Sequence, residues 1–412
     1  MKNKFLQEMK DRGYLNQCTD LVNLSKICEN KPISGYIGFD CTASSLHVGS
    51  LLQIMILKLM QKHGHQPIVL LGGGTTLIGD PSGKDSTRKI LDKKVIKKNI
   101  ESIKKVFNKI LKTKNKKTAP IFVNNADWLT KLNYIQFLRD IGCHFTINKM
   151  LTFDSVKLRL EREQSLSYME FNYMILQAYD FYQLFKNNNC VLQIGGSDQW
   201  GNIVNGVDLI RRVIKKEAYG LTSPLITLAS GVKMGKTEKG AIWLNEKQLS
   251  SYDYWQFWRN TDDRDVKRFL NYFTDIDIKE INEICEKEKN INNLKILLAN
   301  EATKILHGEL ASKKAVRTAK DTFEKGGVGS DLPVIQLQHN QIEKGIKILD
   351  FLAENKILTS KSEARRAIIN KGIKLNDVMV ESERKILEIN DFREDNLKLS
   401  YGKKKHYLIK II

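Results

Sequence analysis

Short apolar runs of strand length alternate with segments of helical period through the first half of this chain, and few folds accept that alternation. Gly35–Asp40, Pro67–Leu71, Pro120–Asn124 and Cys190–Ile194 read as buried strands. They are nearly continuous apolar stretches bounded by turn formers, as strands covered on both faces require. Ser50–Lys62, Phe171–Phe185 and Asn202–Lys216 carry the helical spacing that places one stripe inward. Strand and helix in alternation specify an α/β fold with a doubly wound parallel sheet. In such sheets ligands bind beyond the carboxyl ends of the strands. The loops that follow the strands here, rich in Gly, Asp and Thr, are therefore where chemistry is expected.

The second half changes character. Gln248–Lys325 reads as wholly helical, and Tyr252, Tyr254, Trp255, Phe257, Trp258, Phe269, Tyr272 and Phe273 are expected as its core. Gly326-Gly327-Val328-Gly329-Ser330 marks a linker. Glu343–Ile412 is a compact basic unit with 16 Lys+Arg against 11 Asp+Glu. Within it Ser360-Lys361-Ser362-Glu363 is a capping box, and Gly372 is placed to end the helix the box begins. The divisions expected are 1–240 for the α/β part, 241–325 for the helical part, 326–342 for the linker and 343–412 for the last unit. With 412 residues, two to four domains at roughly 100–200 residues each are reasonable.

Composition excludes several classes. No run approaches the ~18 apolar residues of a membrane span, since Leu51–Met60 is broken by Gln53 and Lys58. Met1–Tyr14 carries Lys and Glu throughout, without the apolar region of a secretory signal. Cys18, Cys28, Cys41, Cys143, Cys190 and Cys285 are widely spaced and contain no C-x-x-C pair, which suits reduced thiols in a cytoplasmic protein. His63 and His65 lack a matching pair at zinc spacing and read as a solvated turn; no metal site is expected. The net charge of +20 makes a polyanion the leading partner. Thirteen basic residues against two acidic ones fall in Arg88–Lys117, which reads as a solvated helical face.

Two glycine-rich stretches fail as nucleotide signatures. Gly79–Asp85 is one residue short of a phosphate-cradling loop and ends in Asp where a hydroxyl is needed, and Gly72-Gly73-Gly74 lacks dinucleotide spacing. A different pair is informative. The segment Tyr36–Ser50 leaves a strand and enters a helix with His47, Val48, Gly49 and Ser50 at the junction. An imidazole and close backbone approach at a helix N-terminus favour phosphate. Far along the chain, Lys233-Met234-Gly235-Lys236-Thr237 puts two lysines and a hydroxyl around a glycine, suited to a departing pyrophosphate. Tyr173, Gln177 and Asp180 share one helical face at i, i+4 and i+7. Gln and Asp are poor core residues, so that face reads as a ligand site.

These segments resemble the HIGH and KMSKS signatures of class I aminoacyl-tRNA synthetases. Tyr36–Asp40, Tyr173–Asp180 and Leu192–Asn202 are similar, more narrowly, to the bacterial-type tyrosyl enzymes, and the basic tail resembles their S4-type RNA-binding domain. The resemblance implies a Rossmann-like catalytic domain, an α-helical anticodon-side domain and a small α+β S4-like domain. It implies tyrosine activation by ATP with Mg²⁺, transfer to tRNA(Tyr), and a homodimer. It places Thr42, His47, Lys233, Lys236 and Thr237 on the ATP phosphates. Tyr36 and Asp180 are placed at the phenol, and Tyr173, Gln177 and Asp80 at the α-ammonium. Gly38, Asp40, Gly49, Ser50, Gly195, Gly196, Asp198 and Gln199 fall to the nucleotide and adenylate. For tRNA the basic bands Arg211, Arg212, Lys215, Lys216 and Arg365, Arg366, Lys371, Lys374 are candidates.

Four positions depart from the family pattern: Ile37, Cys41, Ser50 and Gly235. Ile37 in particular offers the ribose no side-chain hydrogen bond. A tryptophan-specific relative would share both signatures but not Asp180 in the pocket or the S4-like tail. An RNA-binding protein that had lost catalysis would have no need of His47, Asp80, Asp180, Lys233 and Lys236 together.

Overall fold

The computed structural model describes residues 3–80, 91–237, 240–324, 332–343, 345–393, 395–402 and 405–412, with the side chains at 154, 155, 236, 237, 240 and 321–324 outside that description. The chain packs as two compact units, Met1–Leu249 with Thr261–Leu306, and Ser250–Asn260 with His307–Ile412.

The first unit is built on a six-stranded sheet. Its strands are β1 (Gln17–Cys18), β2 (Ser34–Asp40), β3 (Gln66–Gly72), β4 (Ile121–Asn124), β5 (Cys190–Gly196) and β6 (Tyr219–Ser223), in the order β1-β6-β5-β2-β3-β4. β2 to β6 are parallel, and β1 closes the edge antiparallel to β6. The chain runs outward from β2 through β3 to β4 on one side, then returns to lay β5 and β6 on the other. The order therefore reverses between β2 and β5, where Tyr36 pairs with Gln193. That reversal opens the crevice in which α/β sheets hold ligands.

Helices Leu51–Lys62, Tyr168–Asn188 and Trp200–Ile214 match the expected periodic segments. The helix Tyr168–Asn188 starts on a complete capping box, with Ser167 and Glu170 each bonding the other's backbone N–H. It ends at Asn189 in the left-handed conformation, a residue that tolerates positive φ. The basic stretch forms Lys93–Ile110, which buries Ile96, Ile100, Ile103, Val106, Phe107 and Ile110 while its lysines face solvent.

The histidine pair is not the solvated turn expected. His65 is 3% exposed and its Nδ1 accepts the Ile33 N–H at 3.2 Å. Burial pushes its pKa down to about 4, so it stays neutral. His63 Nε2 lies 2.8 Å from Glu8 Oε2. That carboxylate also meets Lys62 at 2.7 Å and Arg12 at 2.9 Å, tying helix Lys4–Asp11 to the sheet-covering helix Leu51–Lys62. Arg12 continues inward and donates to the carbonyls of Asn271, Thr274 and Ile276, which close the end of helix Val266–Phe273.

The second unit is α+β. Its five-stranded sheet has the order Val378–Met379, Ile373–Leu375, Asn396–Tyr401, Lys405–Ile411, Val334–Leu337. Helices Ile348–Glu354 and Lys361–Ile369 cover a core that includes Ile348, Phe351, Leu352, Ile368, Leu397, Leu399 and Ile409. Val334–Leu337 and the helix His339–Glu343 fall within the stretch expected as linker, yet the strand pairs in parallel with Lys405–Ile411. Residues 326–331 lie outside the described part. The expected aromatic residues do not form one core: Tyr252, Tyr254, Trp255 and Trp258 are buried and belong to this unit, Phe269, Tyr272 and Phe273 are buried and belong to the first. Ser360 caps its helix as expected, but Glu363 bonds Thr359 rather than closing the box. The left-handed residue at the helix end is Lys371, one before Gly372.

Candidate active site

A cavity of about 530 Å³ opens at the carboxyl ends of β2 and β5. Thr42, His47, Tyr36, Asp80, Tyr173, Gln177, Asp180, Gly38, Asp40, Gly49, Ser50, Gly195, Asp198 and Gln199 all line it. Sequence positions as far apart as 36 and 199 are thus gathered into one crevice by the parallel sheet and its two covering helices.

Tyr36 and Asp180 are both 1% exposed. The Tyr36 hydroxyl has no hydrogen-bond partner among the described residues. Burial, with Asp180 and Cys190 adding to it, raises its pKa well above the phenol range, so it stays protonated. Asp180 accepts from Trp128 Nε1 at 2.7 Å and Asn125 Nδ2 at 2.9 Å. Burial pushes its carboxyl up to about 7 against those two bonds, and the charge of Asp40 adds to the rise.

A polar network continues from Asn125, whose Nδ2 also donates to Thr75 Oγ1 at 3.0 Å. Asp40 accepts from Thr75 Oγ1 at 2.8 Å and Tyr173 Oη at 3.2 Å. Gln199 Nε2 donates to Asp80 Oδ2 at 3.0 Å, and Asn202 Nδ2 donates to Gln177 Oε1 and Gln199 Oε1, both at 3.0 Å. Each amide is thereby held in one orientation, and Asp40 and Asp80 add two carboxylates to the cavity's lining. Asp198 is raised by burial and by Asp80, while Lys233 draws it down, which brings the lysine's charge to bear on this edge.

The two segments expected to face phosphate meet. His47 Nδ1 accepts the Gly49 N–H at 3.0 Å, so the proton of the neutral ring sits on Nε2, which becomes a donor. Val48 N–H bonds the Ile242 carbonyl at 2.9 Å and Leu244 N–H bonds that of Leu46 at 2.9 Å, which seats the later segment on the earlier one. Gly235 adopts φ +115°, and a Cβ there would lie 2.5 Å from His47 Nδ1. Glycine at 235, rather than serine, is what lets the backbone reach the ring. Lys236–Thr237 pairs with Gly240–Ala241, with the Lys236 and Thr237 side chains outside the described part.

The basic candidates lie elsewhere. Arg211 and Arg212 are exposed on helix Trp200–Ile214, where Arg211 pairs with Asp208 at 2.9 Å and Arg212 bonds the His144 carbonyl. Lys215 and Lys216 are exposed just past its end. In the second unit Arg365 pairs with Glu383 at 2.7 Å, and Arg366, Lys371 and Lys374 face solvent. Among the described residues no cluster of three or more His, Cys, Asp or Glu is arranged to hold a metal.

Sequence reasoning missed Thr75, Asn125, Trp128, Gln53, Gln193 and Trp243. Thr75 and Asn125 follow the ends of β3 and β4, so the rule that sends ligands to strand ends was the signal available for them.

The family described as tRNA synthetases class I (W and Y) matches residues 28–324, and the tyrosine–tRNA ligase SYY-like C-terminal domain matches 324–409. A tyrosine–tRNA ligase of Pelagibacter ubique is 62% identical over 100% of both chains. One of Rickettsia massiliae is 52% identical over 99% of this chain and 100% of its own. A C-terminally truncated Aspergillus nidulans mitochondrial tyrosyl-tRNA synthetase superposes with TM-score 0.71 at 30% identity, covering 78% of this chain and 95% of that one. An Archaeoglobus fulgidus tyrosyl-tRNA synthetase complexed with L-tyrosine, at 16% identity and TM-score 0.57 over 76% of this chain and all of its own, shares the fold. With both family matches and full-length relatives in agreement, the chain belongs to the tyrosyl-tRNA synthetases of class I.

Proposed function

We propose a division of labour in the cavity for the reaction of this family. The chain activates L-tyrosine with ATP to tyrosyl-adenylate and passes the tyrosyl group to the 3′-terminal adenosine of tRNA(Tyr), releasing AMP and pyrophosphate. In the first step the tyrosine carboxylate attacks the α-phosphorus, a carboxyl–phosphorus bond forms, and the bond to the β-phosphate oxygen breaks. The carboxylate is already ionised at neutral pH, so no base is needed. Positioning and charge stabilisation carry the rate.

Tyr36 and Asp180 hold the phenol: Asp180 accepts its hydrogen while the Tyr36 hydroxyl donates to its oxygen. Asp80, Tyr173 and Gln177 hold the α-ammonium. Nε2–H of His47, with Thr42, Lys233, Lys236 and Thr237, donates to the ATP phosphates as charge moves onto pyrophosphate. Gly38, Asp40, Gly49, Ser50, Gly195, Asp198 and Gln199 bind the rest of the adenylate. Mg²⁺ enters with ATP as part of that substrate. The observation that carries this reading is the buried Tyr36 hydroxyl, without a partner among the described residues, beside a buried Asp180 carboxylate in a cavity that His47 also lines.

The exposed lysines and arginines at 211, 212, 215, 216, 365, 366 and 371 contact tRNA phosphates, with residues 241–325 on the anticodon side and 343–412 as the S4-like domain. Tyr134, Ile135, Ile147 and Tyr168 leave large apolar surface exposed, and the Tyr134 and Tyr168 hydroxyls are 3.0 Å apart. A second copy of the chain covers that surface in a homodimer. The enzyme acts in the cytoplasm; no helix among its described residues is long and apolar enough to cross a membrane.

Amino-acid-dependent exchange between ATP and labelled pyrophosphate, without tRNA, tests the cavity assignment. Exchange with tyrosine and not with phenylalanine or tryptophan is expected. No exchange from folded protein that still binds tRNA would overturn it.

A further inference from the structure

The segment that carries Lys236 is fastened at its downstream end by a single asparagine. Beyond Gly240–Ala241 the chain runs antiparallel to the loop that follows β2: His47 bridges Trp243, and the Val48 and Leu244 N–H groups bond the Ile242 and Leu46 carbonyls. Asn245 ends this short ladder. Its backbone N–H donates to Ser45 Oγ at 3.0 Å and its Nδ2 donates to Ser102 Oγ at 3.0 Å. Its Oδ1 accepts the Lys247 N–H at 3.1 Å, and its carbonyl accepts the N–H groups of Gln248 and Leu249, which turn the chain away.

The partners settle which atom donates. A backbone N–H can only donate, so Lys247 fixes Oδ1 on its own side and leaves Nδ2 facing Ser102. Ser45, 3% exposed, spends its hydrogen on the Leu46 carbonyl at 2.8 Å, and its Oγ is left to accept. Ser102 lies on helix Lys93–Ile110, whose inward face buries Ile100, Ile103 and Phe107. Asn245 therefore ties the segment to a helix locked into the core, not to another loop. The neighbouring ties, Lys109 to Glu246 at 3.5 Å and Gln248 to Ser44 at 2.6 Å, are exposed and hold little.

A short ladder between two loops needs such a pin. A slip of two residues preserves the alternation of a strand pair, so the ladder alone fixes its register weakly. Yet the register matters at Gly235, where an added Cβ would lie 2.5 Å from His47 Nδ1. A slip of two brings Lys233 or Thr237 to that place, and each carries a Cβ. The slipped segment must then lift off the ring and take Lys236 with it.

We propose that Asn245 is a positioning residue for tyrosine activation: bonded to Ser45 and Ser102, it pins the register of Ile242–Asn245 on Ser45–Val48 and so sets where Lys236 meets the ATP phosphates. The proposal rests on the tyrosine-activation reading above and adds to it a residue that acts through Lys236 without touching substrate.

Tyrosine-dependent pyrophosphate exchange with the full chain tests it. Asn245→Ala is expected to lower kcat about tenfold with the tyrosine KM unchanged, as a displaced phosphate contact requires. Asn245→Asp still accepts the Lys247 N–H and can accept the Ser102 hydroxyl, so it is expected to restore kcat to within about twofold of the parent. In a Lys236→Ala background, Asn245→Ala is expected to cost little more, because the contact it positions is already gone. The same tenfold loss in that background, a raised tyrosine KM with kcat intact, or a parent-like kcat in Asn245→Ala overturns the proposal. If Asn245→Ala does not fold, Ser102→Ala on the helix surface removes the same bond, and an unchanged kcat there overturns the proposal. Absence of tyrosine-dependent exchange in the parent protein would instead overturn the underlying reading.

Discussion

Asp180 is a carboxylate held where water cannot reach it, and its chemistry depends on pH for that reason. With its pKa pushed up to about 7 by burial, it loses its negative charge as pH falls through neutrality and becomes a weaker acceptor for the phenol. The tyrosine KM is therefore expected to rise several-fold from about pH 8 to pH 6, and the rise to vanish in Asp180→Asn; a pH-independent KM in the parent protein would count against the assignment. The raised value also means that ionising Asp180 works against folding above its unfolded pKa, so Asp180→Asn is expected to melt higher than the parent at pH 8. Lys236 is the residue proposed above to act late in the reaction. If it holds pyrophosphate in the transition state, Lys236→Ala lowers kcat for activation with little change in tyrosine KM, and a KM effect alone would refute that role. Asp180 stood out in the sequence because a carboxylate and Gln177 together on one helical face are anomalous for a core. Asn125 and Trp128, which hold it, did not, since neither residue type is out of place after a short strand.

At the level of elements, the strands most easily read were those buried by cover on both faces, because their own sequence must then be apolar throughout. β6 was missed for the converse reason. Tyr219-Gly220-Leu221-Thr222-Ser223 is fully buried, but helix Trp200–Ile214 and the neighbouring β5 bury it, and its own composition says little. His65 misled in the same way, its burial supplied by Phe5, whose ring lies 5.1 Å away, from a helix distant in sequence. That helix is anchored by Glu8. Burial alone would raise the Glu8 pKa, but hydrogen bonds from His63, Lys62 and Arg12 outweigh it and hold the carboxyl far below its usual value. A depressed acid stabilises the fold fully above its unfolded pKa, near 4.5, and loses that contribution as pH falls further. Glu8→Gln is expected to cost about 1–3 kcal/mol at neutral pH, measured by denaturant unfolding, and the difference from the parent should shrink in acid.

For the whole molecule, every residue lining the cavity belongs to the first unit, whereas basic candidates for tRNA lie on both. Activation and charging should then separate by ionic strength. Raising salt from about 50 to 200 mM is expected to leave tyrosine-dependent exchange nearly flat while kcat/KM for tRNA falls by an order of magnitude or more, as loss of phosphate contacts requires. Equal salt dependence in both assays would place the polyanion contacts elsewhere. The way the second unit closes has a bearing on how it holds together. Lys405–Ile411 is an inner strand, bonded to Asn396–Tyr401 on one side and to Val334–Leu337 on the other. Val334 must wait for a partner about 70 residues later, a long-range pairing of the kind that folds slowly. Any change that unseats Lys405–Ile411 would strip two strands of their neighbour at once. The sheet thus works as a clasp with a single tongue, joining segments about 70 residues apart only while that one strand stays seated.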